Sequence, residues 1–225
     1  MEFSIIIPVY NEERSLAPFL ISLEKFRGAA EIIFSDGGST DRTVDMIKEA
    51  GFFVASGSRG RGTQLNLGAR ISHGDNLLFL HSDSFLPDDA LDQMRHVLRK
   101  HKWGCFGISF NSKSVKMKIC EKLSNRRVRR KNIAFGDQGI FIKRQTFFDI
   151  GAFPNIPVME DLQLSINMTG AGERIGMTKD RISTSDRRFR KGGPWRTMYK
   201  MYRLRKQYLD GVDIDKIAAQ YRDAR

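Results

Sequence analysis

The chain has 225 residues, of which 40% are hydrophobic, so it is long enough for one α/β domain with a buried core and a short extension. Lys and Arg exceed Asp and Glu by 38 to 26. The resulting net charge of +12 favours partners that carry negative charge, such as nucleic acid, anionic lipid headgroups or phosphate-bearing ligands.

The cysteines and the hydropathy of the sequence indicate the redox compartment and the kind of membrane contact. Cys105 and Cys120 follow neither a disulfide framework nor a zinc-site spacing, which predicts a reducing cytoplasm. The N-terminus lacks signal-peptide character, and no stretch approaches the ~20 apolar residues that span a bilayer. We therefore expect any membrane contact to be peripheral.

Short apolar runs alternate with helical periodicity along the first part of the chain. Strands are predicted at residues 3–9, 31–35, 52–55 and 76–80, and helices at 16–26, 39–50, 64–71 and from Pro87 onward. This alternation predicts a mainly parallel central sheet with helices on both faces, a Rossmann-like three-layer α/β sandwich.

The rhythm loosens after Gly104. We predict strands at 106–110, 139–142, 174–177 and 182–185, a basic segment at 113–131 and a helix at 160–168. The tail from Pro194 predicts one long helix, followed by a shorter helix at 213–222.

Polar loops follow each strand of the first part, at residues 8–12, 36–41, 57–62 and 81–83. Ligands bind beyond the carboxyl ends of strands in open parallel sheets, so these loops are expected to converge on one site. Their carboxylates, amides, glycines and arginines suit a sugar, ribose or phosphate ligand.

The glycine loop at 57–62 is neither a P-loop nor a dinucleotide fingerprint. Thr63 stands where a P-loop requires lysine, and the glycine order is G-x-x-G-x-G. The loop is therefore either a phosphate-binding segment beside a helix N-terminus or a plain connection. Asp83, at the tip of a buried strand, is either a ligand for a hard divalent cation or part of an acidic turn before a helix.

Three motifs in this order resemble the family 2 glycosyltransferases of GT-A fold: IIIPVYNEE at 5–13, SDGGSTD at 35–41 and LHSD at 80–83. The resemblance covers roughly residues 1–190. The motifs FLHSD at 79–83, GDQ at 136–138, MED at 159–161 and TSDRR at 184–188 resemble a small bacterial subgroup, the radical-SAM/selenodomain-associated transferases.

The resemblance implies a GT-A domain at 1–190, with a nucleotide-binding half at 1–103 and an acceptor half at 104–190. A basic helical extension at 191–225 completes the chain. The implied reaction moves a sugar from a nucleotide-diphosphate sugar to an acceptor hydroxyl with Mg²⁺ or Mn²⁺. The alternative is a sugar nucleotidyltransferase or another nucleotide-sugar-binding protein, although the N-terminal loop typical of nucleotidyltransferases is missing.

Donor-binding roles carry over to the motif positions. Asp36 is expected to bond the base, Arg61 and Gln64 to face the nucleotide or its phosphates, and Asp83 to hold the metal as the last acid of the D-x-D motif. His81 stands where the first acid of that motif is usual, which leaves a hydrogen bond to the ribose as its expected role. The remaining donor-side residues are Pro8, Tyr10, Asn11, Glu12, Gly38, Ser39 and Ser82.

The acidic pair Glu160–Asp161 matches the family's catalytic carboxylates, with Asp161 as the general base. The alternative is an acidic pair that only complements a helix dipole. One-step displacement with such a base inverts the anomeric centre. The residues assigned to the acceptor or phosphate side are Asp137, Gln138, Arg187 and Arg188.

The basic tail lacks the Q-x-x-R-W motif of processive relatives, which predicts single sugar transfer. Its cations flank an aromatic stripe that includes Trp195, Tyr199 and Tyr202. The stripe suits an anionic membrane that carries a lipid-linked acceptor. Core packing and a homodimer contact are the alternatives. No nucleic-acid-binding module is recognisable, so nucleic acid is not an expected partner.

Overall fold

The computed structural model describes residues 1–112, 114–186, 189 and 192–222. The strands are β1 (Phe3–Val9), β2 (Glu31–Asp36), β3 (Phe53–Ser56), β4 (Asn76–Phe79), β5 (Ser84–Phe85), β6 (Trp103–Phe110), β7 (Ile140–Lys143) and β8 (Gly176–Thr184). The helices are α1 (Glu13–Leu23), α2 (Thr43–Glu49), α3 (Arg61–Ile71), α4 (Ala90–Leu98), α5 (Val115–Lys131), α6 (Arg144–Asp149), α7 (Glu160–Gly170), α8 (Pro194–Leu209) and α9 (Ile214–Arg222).

The strands form one sheet in the order β3-β2-β1-β4-β7-β6-β8-β5. The first four pair in parallel, as the alternating sequence pattern predicted. β7 runs antiparallel to both β4 and β6, β8 is parallel to β6, and β5 is antiparallel to β8. The α/β fold is therefore confirmed, with a parallel half followed by a mixed half.

Helices cover both faces of the sheet. The side chains of Ile5, Ile6 and Ile7 in β1 are all 0% exposed, because a strand at the centre of a covered sheet is buried on both sides. One core cluster includes buried residues of α1, α2 and α4, and the other includes buried residues of α3, α6 and α7. This is the predicted three-layer sandwich.

The structure corrects several predicted boundaries. One continuous strand, β8, replaces the two strands predicted at 174–177 and 182–185, because the strand continues through exposed charged residues at 179–181, where its register with β6 shifts between Cys105 and Gly107. The helix expected from Pro87 begins at Ala90. The predicted helix at 39–50 begins at Thr43, since the preceding residues form the loop described below.

Helix α5 is fastened to β6 by polar side chains. Asn125 Oδ1 accepts a hydrogen bond from the N–H of Ile108 (2.8 Å), and Asn125 Nδ2 donates to the carbonyl of the same residue (3.1 Å). Glu121 Oε1 accepts from the N–H of Phe110 (2.8 Å). The paired residues of β7 reach only as far as Cys105, so these side chains take the place of a neighbouring strand.

The C-terminal helices pack against α7 rather than projecting into solvent. Leu204 of α8 and Ile217 of α9 are buried in a cluster with Leu162 of α7. The side chains of Tyr199 and Tyr202, in contrast, are 63% and 54% exposed. Core packing therefore uses one face of α8, and most of the predicted aromatic stripe lies on another. Among the described residues, no helix combines the length and apolar character needed to cross a membrane.

Candidate functional site

The loops after β1 and β2 are hydrogen-bonded to each other. Asn11, with a left-handed φ of 52° that Asn tolerates, accepts a hydrogen bond from the Thr40 N–H at its Oδ1 (2.8 Å). Its own N–H donates to Ser39 Oγ (2.9 Å). Asp36 is 2% exposed and accepts hydrogen bonds from the Gly38 N–H (2.9 Å) and Ser39 Oγ (2.5 Å). These predicted donor-side residues thus fix the shape of the loops.

Gln64 joins the two strand ends to α3. Its Nε2 donates to the carbonyls of Val9 and Ser35, both at 2.8 Å, and its Oε1 accepts from the Gly60 N–H (3.3 Å). The side chain is 5% exposed, since all of these groups lie inside the turn. Gln64 therefore lies near the expected site and holds the backbone of the surrounding loops in place.

Tyr10, in the loop after β1, is partly buried and contacts an arginine of the glycine loop. The guanidinium carbon of Arg59 lies 4.1 Å from the centre of the Tyr10 ring, a cation–π distance. Pro8 is partly buried, and Glu12 Oε2 accepts a hydrogen bond from Ser15 Oγ (2.7 Å). The exposed Arg59 thus comes from the glycine loop to cover the loop after β1.

An ion pair connects the start of α3 with the start of α7. Arg61 Nη1 donates to Glu160 Oε1 (2.9 Å), and the side chains are 23% and 2% exposed. Burial raises the pKa of the Glu160 carboxyl, Arg61 partly offsets that shift, and the charge of Asp161 adds to it. The carboxylate in turn raises the pKa of Arg61 above its usual value, and a hydrogen bond to Tyr221 of α9 contributes.

Asp161 is oriented by backbone N–H groups. Its Oδ2 accepts a hydrogen bond from the Gly136 N–H (2.9 Å), and its Oδ1 accepts from the Leu162 N–H (2.7 Å). Gly136 also packs against the imidazole of His81, where a Cβ would overlap with Nε2. The end of β4, the turn at 136–138 and the N-terminus of α7 therefore meet at one point.

Asp83 lies in the loop after β4, with a partly buried side chain, and Ser82 beside it is 8% exposed. Within the part of the chain that the structure describes, no three His, Cys, Asp or Glu side chains form a group able to hold a metal ion. A hard cation at Asp83 would therefore need further oxygens from a ligand or from water, which is usual for Mg²⁺ bound at phosphates.

The acceptor-side residues are only partly described. Gln138 is 0% exposed, and Asp137 in the same turn is partly buried. Gln138 Oε1 accepts a hydrogen bond from Arg127 Nη2 (2.6 Å). Arg187 and Arg188 lie outside the described residues.

The structure adds residues to the site that the sequence pattern did not single out. They are Arg127, Arg205 and Tyr221, whereas Arg59 belongs to the polar loop at 57–62 that the sequence already assigned to ligand binding. Two of them lie in basic runs, where charge alone does not distinguish an inward side chain from a solvated one. Contacts between residues of different helices, which only the three-dimensional structure shows, identify the inward-facing side chains.

Fold and site together define a GT-A glycosyltransferase fold. A solved structure of mannosyltransferase PcManGT from Pyrobaculum calidifontis, in complex with GDP-Man and Mn²⁺, aligns with a TM-score of 0.68 at 19% identity over 90% of this chain and 61% of that chain. Staphylococcus aureus TarS 1-349 in complex with UDP-GlcNAc aligns with a TM-score of 0.65 at 19% identity over 82% of this chain and 58% of that chain.

The family model described as Glycosyl transferase family 2 matches residues 4–154. This range is more than half of the chain, and the chain therefore belongs to glycosyl transferase family 2. The matched range contains the loops after β1, β2, β3 and β4, and it ends before Glu160 and Asp161.

Curated relatives match over a shorter range. An uncharacterized glycosyltransferase of Haemophilus influenzae is 34% identical over 107 residues, which are 44% of this chain and 43% of that protein. The poly(ribitol-phosphate) beta-N-acetylglucosaminyltransferase TarS of S. aureus is 26% identical over 111 residues, which are 45% of this chain and 19% of TarS. The chain thus matches less than half the length of these relatives.

The Arg61–Glu160 pair predicts a large stability difference between two identical substitutions. Glu160→Gln removes the charge that compensates Arg61 and should lower the free energy of unfolding by about 2–3 kcal/mol, below the range of fully buried pairs because Arg61 is 23% exposed. Glu49→Gln, in the exposed pair with Arg42, should cost less than about 1 kcal/mol. Urea unfolding of both variants measures the difference, and equal losses would contradict a special contribution of the inner pair.

Proposed function

We propose that this protein is an inverting glycosyltransferase that moves one sugar from a nucleotide-diphosphate sugar to an acceptor hydroxyl. The hydrogen bond from Gly136 to Asp161 carries the proposal, because His81 packs on the same glycine. The carboxylate that would act as base thereby lies next to the loop that contains Asp83. Donor chemistry and acceptor chemistry then share one cleft.

The donor half of the proposal is supported by the relatives' ligands. TarS binds UDP-GlcNAc and PcManGT binds GDP-Man, each on a fold like this one. In this chain, the Tyr10–Arg59 stack and the loop fixed by Asp36 would receive the nucleoside. The base and the sugar of the donor are left open by these contacts.

A divalent cation fits the donor set at Asp83. One carboxylate with diphosphate and water oxygens is a usual environment for Mg²⁺, and PcManGT was solved with Mn²⁺. When bound, the ion would neutralise charge that develops on the departing diphosphate. His81, in place of the first acid of the motif, would donate or accept a hydrogen bond at the ribose.

The transfer step follows from the placement of Asp161. The acceptor oxygen attacks the anomeric carbon from the face opposite the diphosphate, the new C–O bond forms as the bond to the diphosphate oxygen breaks, and the acceptor proton passes to the Asp161 carboxylate. The leaving group departs as a nucleoside diphosphate. Glu160 would keep Asp161 in place through its pair with Arg61.

The domain division proposed from the motifs is compatible with these contacts. Residues 1–103 supply the donor loops, 104–190 supply the turn at 136–138 and α7, and 191–225 supply the basic helices. The motifs at 136–138 and 184–188 support assignment to the radical-SAM/selenodomain-associated subgroup, which is part of the proposal.

We further propose that the protein works at the cytoplasmic face of an anionic membrane. The side chains of Trp195, Tyr199 and Tyr202, spaced four and three residues apart on α8, are 48%, 63% and 54% exposed. The exposed Arg196 and Arg203 lie on the same helix. Aromatic side chains flanked by cations suit the headgroup region of such a membrane.

The donor site predicts metal-dependent binding of nucleoside diphosphates. UDP or GDP should raise the melting temperature, because a ligand at 100 times its Kd adds about 2.7 kcal/mol to the free energy of unfolding. The rise in melting temperature should be larger with Mn²⁺ than without it. Asp83→Ala should remove the Mn²⁺-dependent part, whereas Asp45→Ala, at an exposed position of α2, should keep it. Thermal shift assays test both, and no stabilisation by any nucleoside diphosphate would refute the donor site.

Asp161→Asn should separate binding from chemistry. The amide oxygen can still accept the Gly136 hydrogen bond, but it cannot take the proton of an attacking hydroxyl or water. Hydrolysis of a nucleotide sugar in the absence of acceptor should therefore fall by about 10²–10⁴-fold while nucleoside diphosphate affinity stays the same. Unchanged hydrolysis, with Asp45→Asn as the matched control, would exclude Asp161 as the base.

The exposed aromatic side chains predict binding to anionic vesicles. Tyr199→Ala and Tyr202→Ala should each weaken sedimentation with phosphatidylglycerol vesicles by roughly tenfold, because each ring would lose its apolar contact with the lipid. Ile21→Ala, at an exposed apolar residue of α1, is the control and should bind like the wild type. Variants that change the oligomeric mass and leave vesicle binding intact would replace the membrane with a homodimer contact.

A further inference from the structure

Two arginines from different helices flank one aromatic ring beside Asp161. The guanidinium carbon of Arg127, on α5, lies 4.0 Å from the centre of the Phe135 ring, and that of Arg205, on α8, lies 5.3 Å from it. Both arginine side chains are partly buried. Phe135 immediately precedes Gly136, whose N–H binds Asp161.

Few contacts neutralise these two charges. Arg127 Nε donates to the carbonyl of Ile133 (3.3 Å), and Arg205 Nε donates to the carbonyl of Met201 (3.2 Å). Neither guanidinium forms a salt bridge with a carboxylate of the described residues. The charge of Asp137 acts on Arg127, and that of Asp161 acts on both arginines, without a direct salt bridge. Both guanidiniums can therefore bind an anion from outside the chain.

Electrostatics agrees with the geometry. Burial lowers the pKa of Arg127 to about 10, with Asp137 opposing the shift and Arg205 adding to it. Burial also lowers the pKa of Arg205, against the opposing effects of Tyr202 and Asp161. Both side chains stay protonated at neutral pH, so their desolvated charge would be stabilised by a bound oxyanion.

A buried amide points to the same place. Arg127 Nη2 donates to Gln138 Oε1 (2.6 Å), which leaves the other end of that side chain, Nε2, buried without a hydrogen-bond partner in the part of the chain described. Buried polar atoms in native proteins are rarely left unsatisfied, and those that are call for an explanation. An acceptor oxygen from a ligand would supply one.

We propose that Arg127 and Arg205 form an oxyanion subsite that receives a phosphate group of the acceptor, with Gln138 as a further donor. Arginine forks match phosphate oxygens in pairs, which favours phosphate over a single-point anion. The subsite lies beside Asp161, so it would bring an acceptor hydroxyl near the phosphate to the base. The assignment to the acceptor rests on the proposed function, whereas the binding of phosphate does not.

Calorimetric titration with inorganic phosphate tests the subsite while Mg²⁺ and saturating UDP or GDP occupy the donor site. Arg127→Gln and Arg205→Gln should each weaken phosphate binding by roughly tenfold or more, as expected for loss of a charge-assisted hydrogen bond. Arg129→Gln and Arg203→Gln change the net charge equally at exposed positions of the same helices and should leave the affinity unchanged. Arg205→Lys should restore part of it, because a point charge remains without the fork.

Failure of the phosphate subsite and failure of the donor site give different results in these titrations. Phosphate that binds the wild type no better than it binds Arg205→Gln overturns the subsite, even if UDP and Mg²⁺ bind normally. Loss of nucleotide binding with intact phosphate binding instead overturns the donor site and leaves the subsite standing. If Arg127→Gln does not fold, as judged by thermal unfolding, Arg205→Gln on the outer helix decides.

The source of the phosphate is tested with two further probes. A soluble acceptor predicts that glycerol 3-phosphate competes with inorganic phosphate, and that the competition depends on Arg205. A lipid acceptor predicts tighter binding to phosphatidylcholine vesicles that contain phosphatidic acid than to vesicles with phosphatidylglycerol at equal mole fraction, with the preference lost in Arg205→Gln. If neither glycerol 3-phosphate nor phosphatidic acid distinguishes the wild type from Arg205→Gln, the acceptor assignment is overturned.

Discussion

The ion pair between Arg61 and Glu160 joins the start of α3 to the start of α7. Glu160 is almost fully buried, and removing a carboxylate from water is unfavourable unless a cation and hydrogen bonds compensate it. The backbone of α3 approaches so closely that a Cβ on Gly62 would lie 2.8 Å from the carbonyl oxygen of Pro154. Asp161 is the next residue in the chain, so its position follows from a contact made by its neighbour.

Most polar residues of the donor loops hold other parts of the loops. Asp36, Asn11 and Gln64 use their side chains to fix backbone N–H and carbonyl groups, and the partly buried Tyr10 ring lies under the guanidinium of Arg59. Such a loop needs little ordering when a ligand binds, which lowers the entropic cost of binding. The polar residues of these loops therefore contribute to the rigidity of the loops.

The parallel half of the fold could be predicted because its signals are local: apolar runs, helical periodicity and loops at strand ends. In the mixed half, β6, β7 and α7 were predicted near their observed positions, but the antiparallel direction of β7 and the continuity of β8 were not, since these depend on partners distant in sequence. The motif positions named His81 and Asp161 as site residues, and the structure adds that Gly136 contacts both of them. Arg127 lies among several basic residues near the end of α5, and nothing in its sequence neighbourhood marks the side of the helix that faces Phe135 and Gln138.

The side chains of Glu121 and Asn125 also affect how the sheet behaves toward other chains. An extended segment with unpaired N–H and carbonyl groups is a template for strand addition and aggregation. By bonding Ile108 and Phe110, α5 closes that template along the outer part of β6. Helix α5, whose outer surface is strongly basic, thus covers this strand edge. If α5 detached, the unpaired backbone groups of β6 would be exposed to neighbouring molecules.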